Sequence, residues 1–239
     1  MEQSYKKIIL KLSGEALLDK NANAILSKDK LLEIANLIKD LRQNDVKIGV
    51  VIGAGNIFRG RISQDLGVNP IDGDYMGMIG TVINCKALSS VLNSLGVKNK
   101  VFGALAVEDV APKYDPEEAL KLVDEGYVCL FSGGLGRPKI TTDSCAAKRA
   151  IEIKAEAILS GKNGVDGVYD SDPRTNKNAK FLKNLTYKEA IASSLKVMDK
   201  EAMELLKDSD VVTRVFGMND IENFKKVVSG SDIGSTIRR

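Results

Sequence analysis

Two short apolar runs bracket one amphipathic stripe near the start of the chain, and this arrangement limits the fold more than any other feature. Lys7–Leu12 (KIILKL) and Val46–Ile52 each have the length and apolarity of a buried strand. Between them Leu31, Ile34, Ile38 and Leu41 recur at helical spacing, with Ser27 placed to cap the helix. The result is a β-α-β unit, whose strands should be parallel with a right-handed crossover. The alternation continues through strands at Lys100–Ala106, Tyr127–Phe131, Ala155–Ser160 and Val212–Phe216, with a short last one at Gly234–Ile237. Helices are expected from Asp115-Pro116-Glu117-Glu118, from the Thr186–Glu189 capping box inside Ala179–Ser209, and from Asn219–Glu222. No repeat or linker interrupts the series. One domain over residues 1–239 is expected, with a mostly parallel sheet covered by helices on both faces.

Two of these strands run into glycine-rich loops. Ile48–Gly60 reads IGVVIGAGNIFRG, so an apolar run ends at Gly53 and an arginine follows at Arg59. Gly53 and Gly55 permit close backbone approach to a bulky group, and Arg59 can clamp an anion. A tight strand-to-helix connection with a surface arginine would read the same way. The second loop, Ser132-Gly133-Gly134-Leu135-Gly136-Arg137-Pro138, precedes Thr141-Thr142-Asp143 and another helix. Two such loops at equivalent places suggest a shared ligand edge at the carboxyl ends of the strands. Lys11 ends the first strand at that same edge, either as a solvated lysine or as an ammonium delivered to a ligand.

Arg61–Gly73 reads as an irregular link before a helix at Tyr75–Leu95. Asp74 is placed to cap that helix and can also face a ligand hydroxyl, because a cap rarely uses both carboxylate oxygens. Lys162–Pro173 is rich in Asp and Gly and reads as β-turns, and Asp199 sits at a helix start.

Composition removes several classes of chemistry. The chain has no histidine among 239 residues, so a Ser-His-Asp triad and histidine metal ligands are excluded. Phosphoryl transfer needs little covalent help from a protein and relies on positioning and positive charge, which lysine- and glycine-bearing loops can supply. With 35 basic and 32 acidic residues and no polybasic tract, there is no nucleic-acid footprint. Cys85, Cys129 and Cys145 are scattered, form no CxxC pair, and read as buried free thiols rather than as a metal or redox site. No apolar run is long enough for a membrane span, and a cytoplasmic location is expected.

Six stretches in order carry a resemblance. They are Lys11–Leu17 (KLSGEAL), Gly53–Gly60, Gly73–Asn84 (GDYMGMIGTVIN), Val165–Pro173 (VDGVYDSDP), and Lys196–Asp199 followed by Arg214–Asn219 (RVFGMN). Together they resemble the bacterial uridylate (UMP) kinases of the amino-acid-kinase superfamily, across essentially the whole chain. The resemblance implies a three-layer α/β/α sandwich without a Walker A loop. It implies transfer of the γ-phosphoryl group of ATP to UMP in pyrimidine nucleotide biosynthesis, with Mg²⁺ accompanying ATP. It also implies a homohexamer inhibited by UTP.

Carried over by matching motifs, Lys11 would neutralise charge on the transferred group and Asp199 would orient that lysine. Lys11, Leu12, Ser13 and Gly14, with Gly55 and Arg59, would contact the ATP phosphates. Asn163, Tyr169 and Asp172 would hold the ATP base and ribose. Asp74 and the loop Gly134, Leu135, Gly136, Arg137, Pro138, Lys139, Ile140 and Thr141 would hold UMP, with Ala54 at the acceptor phosphate.

Three departures from the family pattern stand out. Ala54 replaces a usual glycine and requires a compatible backbone angle. Lys139 and Ile140 replace two aromatics, and Arg137 stands where a neutral polar residue is common, so UMP would be held more by charge. The segment after Leu17 lacks the glycine-rich pattern linked to GTP activation, so weak or absent activation is expected. The rival readings are a superfamily kinase acting on a carboxylate or carbamate, and a non-enzymatic nucleotide sensor. A dinucleotide-binding dehydrogenase is disfavoured by the missing GxGxxG.

Overall fold

The structure is a computed structural model and describes residues 4–19, 24–59, 65–195 and 197–239. Parts of the expected loop at Asn21–Ser27 and of the link at Arg61–Gly73, as well as Gly60 and Lys196, lie outside the described residues.

The strands are β1 (Lys7–Leu12), β2 (Lys47–Ile52), β3 (Asn99–Gly103), β4 (Val128–Ser132), β5 (Ala157–Lys162), β6 (Val168–Tyr169), β7 (Phe181–Leu182), β8 (Asn184–Thr186), β9 (Val212–Gly217) and β10 (Ser235–Arg238). Among the described residues the α-helices are α1 (Lys28–Gln43), α2 (Pro70–Ser94), α3 (Pro116–Asp124), α4 (Thr142–Glu152), α5 (Tyr187–Ala192), α6 (Lys200–Leu206) and α7 (Glu222–Val228). Eight strands form one sheet in the order β3-β4-β2-β1-β5-β9-β10-β8, and β6 and β7 form a separate hairpin. Among the described residues only β9 and β10 pair antiparallel within the large sheet. The mostly parallel three-layer α/β/α sandwich is therefore the architecture present.

Both faces of the sheet are covered, which is why its central strands read as continuous apolar runs. On β1 the alternation of side chains sends Ile8, Leu10 and Leu12 toward α1, α2 and α7. Ile9 points the other way, into a core built with α4, α5 and α6. Lys11 shares the parity of Ile9 and so faces α4. All three cysteines are buried free thiols, and burial pushes each thiol's pKa upward. No described helix is long and apolar enough to cross a membrane.

Several boundaries move relative to the sequence reading. Helix α2 starts at Pro70, with Asn69 accepting a hydrogen bond from the Ile71 amide at 2.9 Å. Proline at the first helical position behind an asparagine cap is a stronger start than Asp74. Asp74 is therefore inside the helix and is not its N-cap, and residues 70–73 are helical rather than part of an irregular link. The Thr186–Glu189 capping box forms as expected, and Asp199 caps α6 by accepting from the Ala202 amide at 2.8 Å. The last helix takes no side-chain cap from Asn219. Asp220 instead accepts from the Glu222 amide at 3.0 Å.

Candidate active site

The strand order puts Lys11 at the centre of the ligand edge. β1 lies between β2 on one side and β5 on the other, and all three run parallel. The chain fills β2, β3 and β4 on one side of β1, with β3 outermost, and then crosses to β5 and β9 on the other. A crevice at such a reversal is where open α/β sheets bind ligands. Lys11 reaches across to the first turn of α4, where its Nζ pairs with Asp143 Oδ1 at 2.7 Å. Both side chains are mostly shielded, at 15% and 18% exposure, so this pair is screened less than a surface one.

The loops after β1 and β2 interlock. The Gly53 amide donates to the Leu12 carbonyl at 3.0 Å, so Leu12 contributes backbone while its side chain stays in the core. A Cβ at Gly14 would lie 2.5 Å from the Gly53 carbonyl oxygen and 2.8 Å from the Gly55 nitrogen, so only glycine fits there. Ser13 caps the 3₁₀ turn Gly14–Leu17 that follows. Buried Asn84 of α2 fastens the second loop, donating to the Gly53 carbonyl at 2.8 Å and exchanging amide hydrogen bonds with Asn56. Ala54 does not sit in the left-handed region, so its methyl is compatible with the backbone. Arg59 pairs with Glu15 and donates from Nε to the Gly55 carbonyl at 3.1 Å.

Two cavities flank this centre. One, of about 220 Å³, opens beside β2 and β4. Ala54, Asp74, Gly134, Arg137, Ile140 and Thr141 of the expected acceptor set line it, together with Phe58, Met78, Thr81 and Cys145. The second glycine loop uses left-handed backbone at Gly133, Gly134, Gly136 and, without glycine, at Lys139. The Lys139 amide donates to Asp74 Oδ2 at 2.8 Å, which ties this loop to α2. Leu135 packs on the core behind the loop. Leu135, Gly136, Pro138 and Lys139 do not line the cavity. Arg137 leans outward to Glu201 at 3.1 Å.

The other cavity, of about 520 Å³, lies beyond β5. Asn163, Tyr169 and Asp172 all line it, as does Lys162. Tyr169 donates to Asp166 at 2.6 Å and meets the Phe181 ring edge-on. Asp172 holds Arg174 through paired hydrogen bonds of 2.9 and 2.8 Å. Burial, then repulsion from Lys11, lowers the pKa of Lys162, and Asp143 offsets part of this.

Asp199 does not reach Lys11. It accepts from the Thr141 hydroxyl and from the Ser144 hydroxyl at 2.9 Å, fastening the N-terminus of α4 to that of α6. Asp143, the ion partner of Lys11, lies between those two positions, on the helix start that Asp199 fastens. Sequence reasoning named neither Asp143 nor Asn84 as a site residue. Asp143 reads only as part of the Thr141-Thr142-Asp143 segment before a helix. The signal for Asn84 is a polar residue one helical turn from Gly80 and flanked by Val82, Ile83 and Cys85. Among the described residues no cluster of three potential metal-ligating side chains occurs.

A family model for the amino acid kinase family matches residues 6–217. A uridylate kinase of Mesoplasma florum is 46% identical over 238 residues, covering 99% of each chain. The crystal structure of a UMP kinase from Bacillus anthracis superposes with a TM-score of 0.94 at 35% identity, over 99% of this chain and 97% of that one. A UMP kinase from Ureaplasma parvum superposes with a TM-score of 0.89 at 33% identity, over 99% and 100%. Likeness of this extent, in sequence and in fold alike, leaves one placement: the chain belongs to the amino acid kinase family, on the branch that its uridylate kinase relatives define.

Proposed function

We propose that this protein transfers the γ-phosphoryl group of ATP to UMP, giving ADP and UDP. The observation that carries the reading is the pair of cavities on one sheet edge, with Lys11 on the strand between them. In-line transfer needs donor and acceptor to meet at one point, and loops from adjacent parallel strands can deliver them there. No feature favours a carboxylate or carbamate acceptor or a non-enzymatic sensor.

In this mechanism UMP occupies the smaller cavity, with its phosphate toward Ala54 and a hydroxyl toward Asp74. ATP occupies the larger one, its base and ribose near Asn163, Tyr169 and Asp172. Its phosphates run along the Lys11–Gly14 and Gly55–Arg59 backbone. A loose transition state spreads charge over the peripheral phosphoryl oxygens, and the Lys11 ammonium and loop amides stabilise that charge. Asp143 holds Lys11 at the right height. Asp199 is a positioning residue that fixes the α4 start. Arg59 exchanges its contact with Glu15 for phosphate.

Mg²⁺ fits as the companion of ATP. Asp143 and Asp199 are already engaged by Lys11, Ser144 and Ala202. A hard octahedral cation commonly takes few carboxylates and draws ligands from substrate phosphates and water. It would neutralise charge on the bridging phosphates.

Association into a homohexamer is part of the same reading. Support comes from α2, where Ile71, Tyr75, Met76, Ile79 and Ile83 leave an apolar stripe exposed at helical spacing. Feedback inhibition by UTP, a role in pyrimidine nucleotide biosynthesis and a cytoplasmic location belong to the same proposal. The deciding experiment is radiolabelled phosphate transfer from ATP to a panel of nucleoside monophosphates, with glutamate, aspartate and carbamate alongside. Labelled UDP as the main product is expected. Label on a carboxylate or carbamate, or on no acceptor at all, would overturn the proposal.

A further inference from the structure

We infer that Lys162 is a second phosphate-binding ammonium that works beside Lys11, reaching the phosphoryl group in transit from the ATP side. The inference rests on the kinase reading above. Lys162 is the last residue of β5, at the sheet edge on which the larger cavity opens. In the β1–β5 register Lys11 lies opposite Ser160. Side chains alternate along a strand, so Lys162 shares the face of Ser160 and Lys11, one pleat closer to the ligand edge. Its side chain lines the larger cavity next to Asn163 and Tyr169.

The surroundings of Lys162 leave its charge without a dedicated partner. Its Nζ donates to the Val197 carbonyl at 3.2 Å, two residues before Asp199. Among the described residues no carboxylate stands within ion-pair distance of it. Asp143 is the carboxylate whose field reaches both lysines, and it is already paired with Lys11 at 2.7 Å. Two ammonium groups against one carboxylate leave unbalanced positive charge at the carboxyl edge of β1 and β5. A carbonyl hydrogen bond does not require that charge, since a neutral amide would serve it. A phosphoryl group passing between the cavities supplies the missing negative charge on its peripheral oxygens. Lys11 would then meet the group from the strand beneath it and Lys162 from the donor side.

The test uses Lys162→Gln, which can still donate to Val197, with Lys162→Met and Lys162→Arg beside it. Steady-state kinetics are measured with ATP and UMP varied in turn, and thermal unfolding is followed for each variant. Both neutral variants should lose about 100-fold in kcat, the cost typical of removing one donor to developing charge. KM for UMP should stay within about twofold, and Lys162→Arg should recover much of the rate. Lys162→Gln should melt within a few degrees of the parent chain. Lys162→Gln with kcat within twofold of the parent would overturn the inference, as would a loss that tracks instability alone. The parent chain is assayed in parallel. An inactive parent would overturn the kinase reading itself, whereas an active parent with an unimpaired Lys162→Gln overturns only the role of Lys162.

Discussion

Gly80 of α2 lies against Ala54, so closely that a Cβ on Gly80 would sit 2.9 Å from the Ala54 methyl. The alanine that replaces a usual loop glycine is thus seated on a helix position with no side chain. The methyl fits because its neighbour has none.

Gly80→Ala should therefore be destabilising even though alanine favours helices. Overpacking a tight site costs about 1–3 kcal/mol, against a propensity gain of up to about 1 kcal/mol. KM for UMP should rise as well, because Ala54 lines the acceptor cavity. Ala54→Gly should restore both in the double variant. Urea unfolding of the four chains in the cycle checks this, and strictly additive effects would show that the two positions are uncoupled.

Lys11→Ala should abolish turnover while leaving UMP binding within about threefold. A residue acting on the transferred group contributes in the transition state, so kcat falls and ground-state acceptor affinity does not. Asp143→Asn should cost less, about 10–100-fold in kcat, since the ammonium remains but loses its tether. Rapid-quench kinetics with calorimetric UMP titration separate the two quantities. Near-normal kcat in Lys11→Ala would sink the assignment.

The two glycine loops were legible because an apolar run ending in small residues is a local signal. The meeting of Lys11 with Asp143 was not, because it depends on which strands become neighbours. The order β4-β2-β1-β5 places α4 over Lys11, and no spacing within either segment encodes that. Of the two roles open to Asp74, the cap fails because Asn69 and Pro70 start the helix rather than end a link. The hairpin of β6 and β7 went unseen, since strands of two residues carry no periodicity. Each cavity gathers one of the two groups that the family resemblance names, Asp74 and Thr141 in one, Tyr169 and Asp172 in the other. Lys139 and Pro138 show the limit of that transfer, because they belong to the loop without lining the cavity.

Arg149 should prove essential to the acceptor loop without touching substrate. It is buried, its guanidinium lies 3.5 Å above the centre of the Tyr114 ring, and it pairs with Glu152 at 2.7 Å. It also donates to the Gly134 carbonyl at 3.4 Å. Arg149→Met leaves the largely buried Glu152 with only Lys148 at 3.5 Å and the Tyr114 hydroxyl, at a cost of about 2 kcal/mol. Tyr114→Phe, which removes only the hydroxyl bonded to Glu152, should be milder. Chemical denaturation of both variants gives the ordering, and an Arg149→Met chain as stable as the parent would contradict it.

UMP should remain the preferred acceptor despite the altered loop. Ile140 lines the cavity where the family has an aromatic, and Arg137 stays close enough to Glu201 to be exchanged for phosphate. UMP should exceed CMP and dUMP by at least about tenfold in kcat/KM, or ~1.4 kcal/mol. Arg137→Gln should raise KM for UMP several-fold with ATP unaffected. CMP preferred over UMP would refute this view of the loop.

Stability should fall as the solution is made alkaline, before any surface lysine titrates fully. Burial raises the Cys145 thiol from its ordinary 9.0 to about 11 and Cys129 to about 12, and Cys85 moves the same way. Between pH 9 and 11 the folded chain keeps protons on these thiols that the unfolded chain releases. More protons bound when folded means that unfolding becomes easier as pH rises through that window. Tyr114 and Tyr187 are raised by burial too and act with the same sign at higher pH. Urea midpoints measured from pH 8 to pH 10.5 should decline, and Cys145→Ala should flatten the slope. The same burial should leave all three thiols unreactive toward an alkylating agent at pH 8 until the chain is unfolded. Rapid native labelling of Cys145, which lines the acceptor cavity, would mean that the thiol is ionised there and that the slope has another origin.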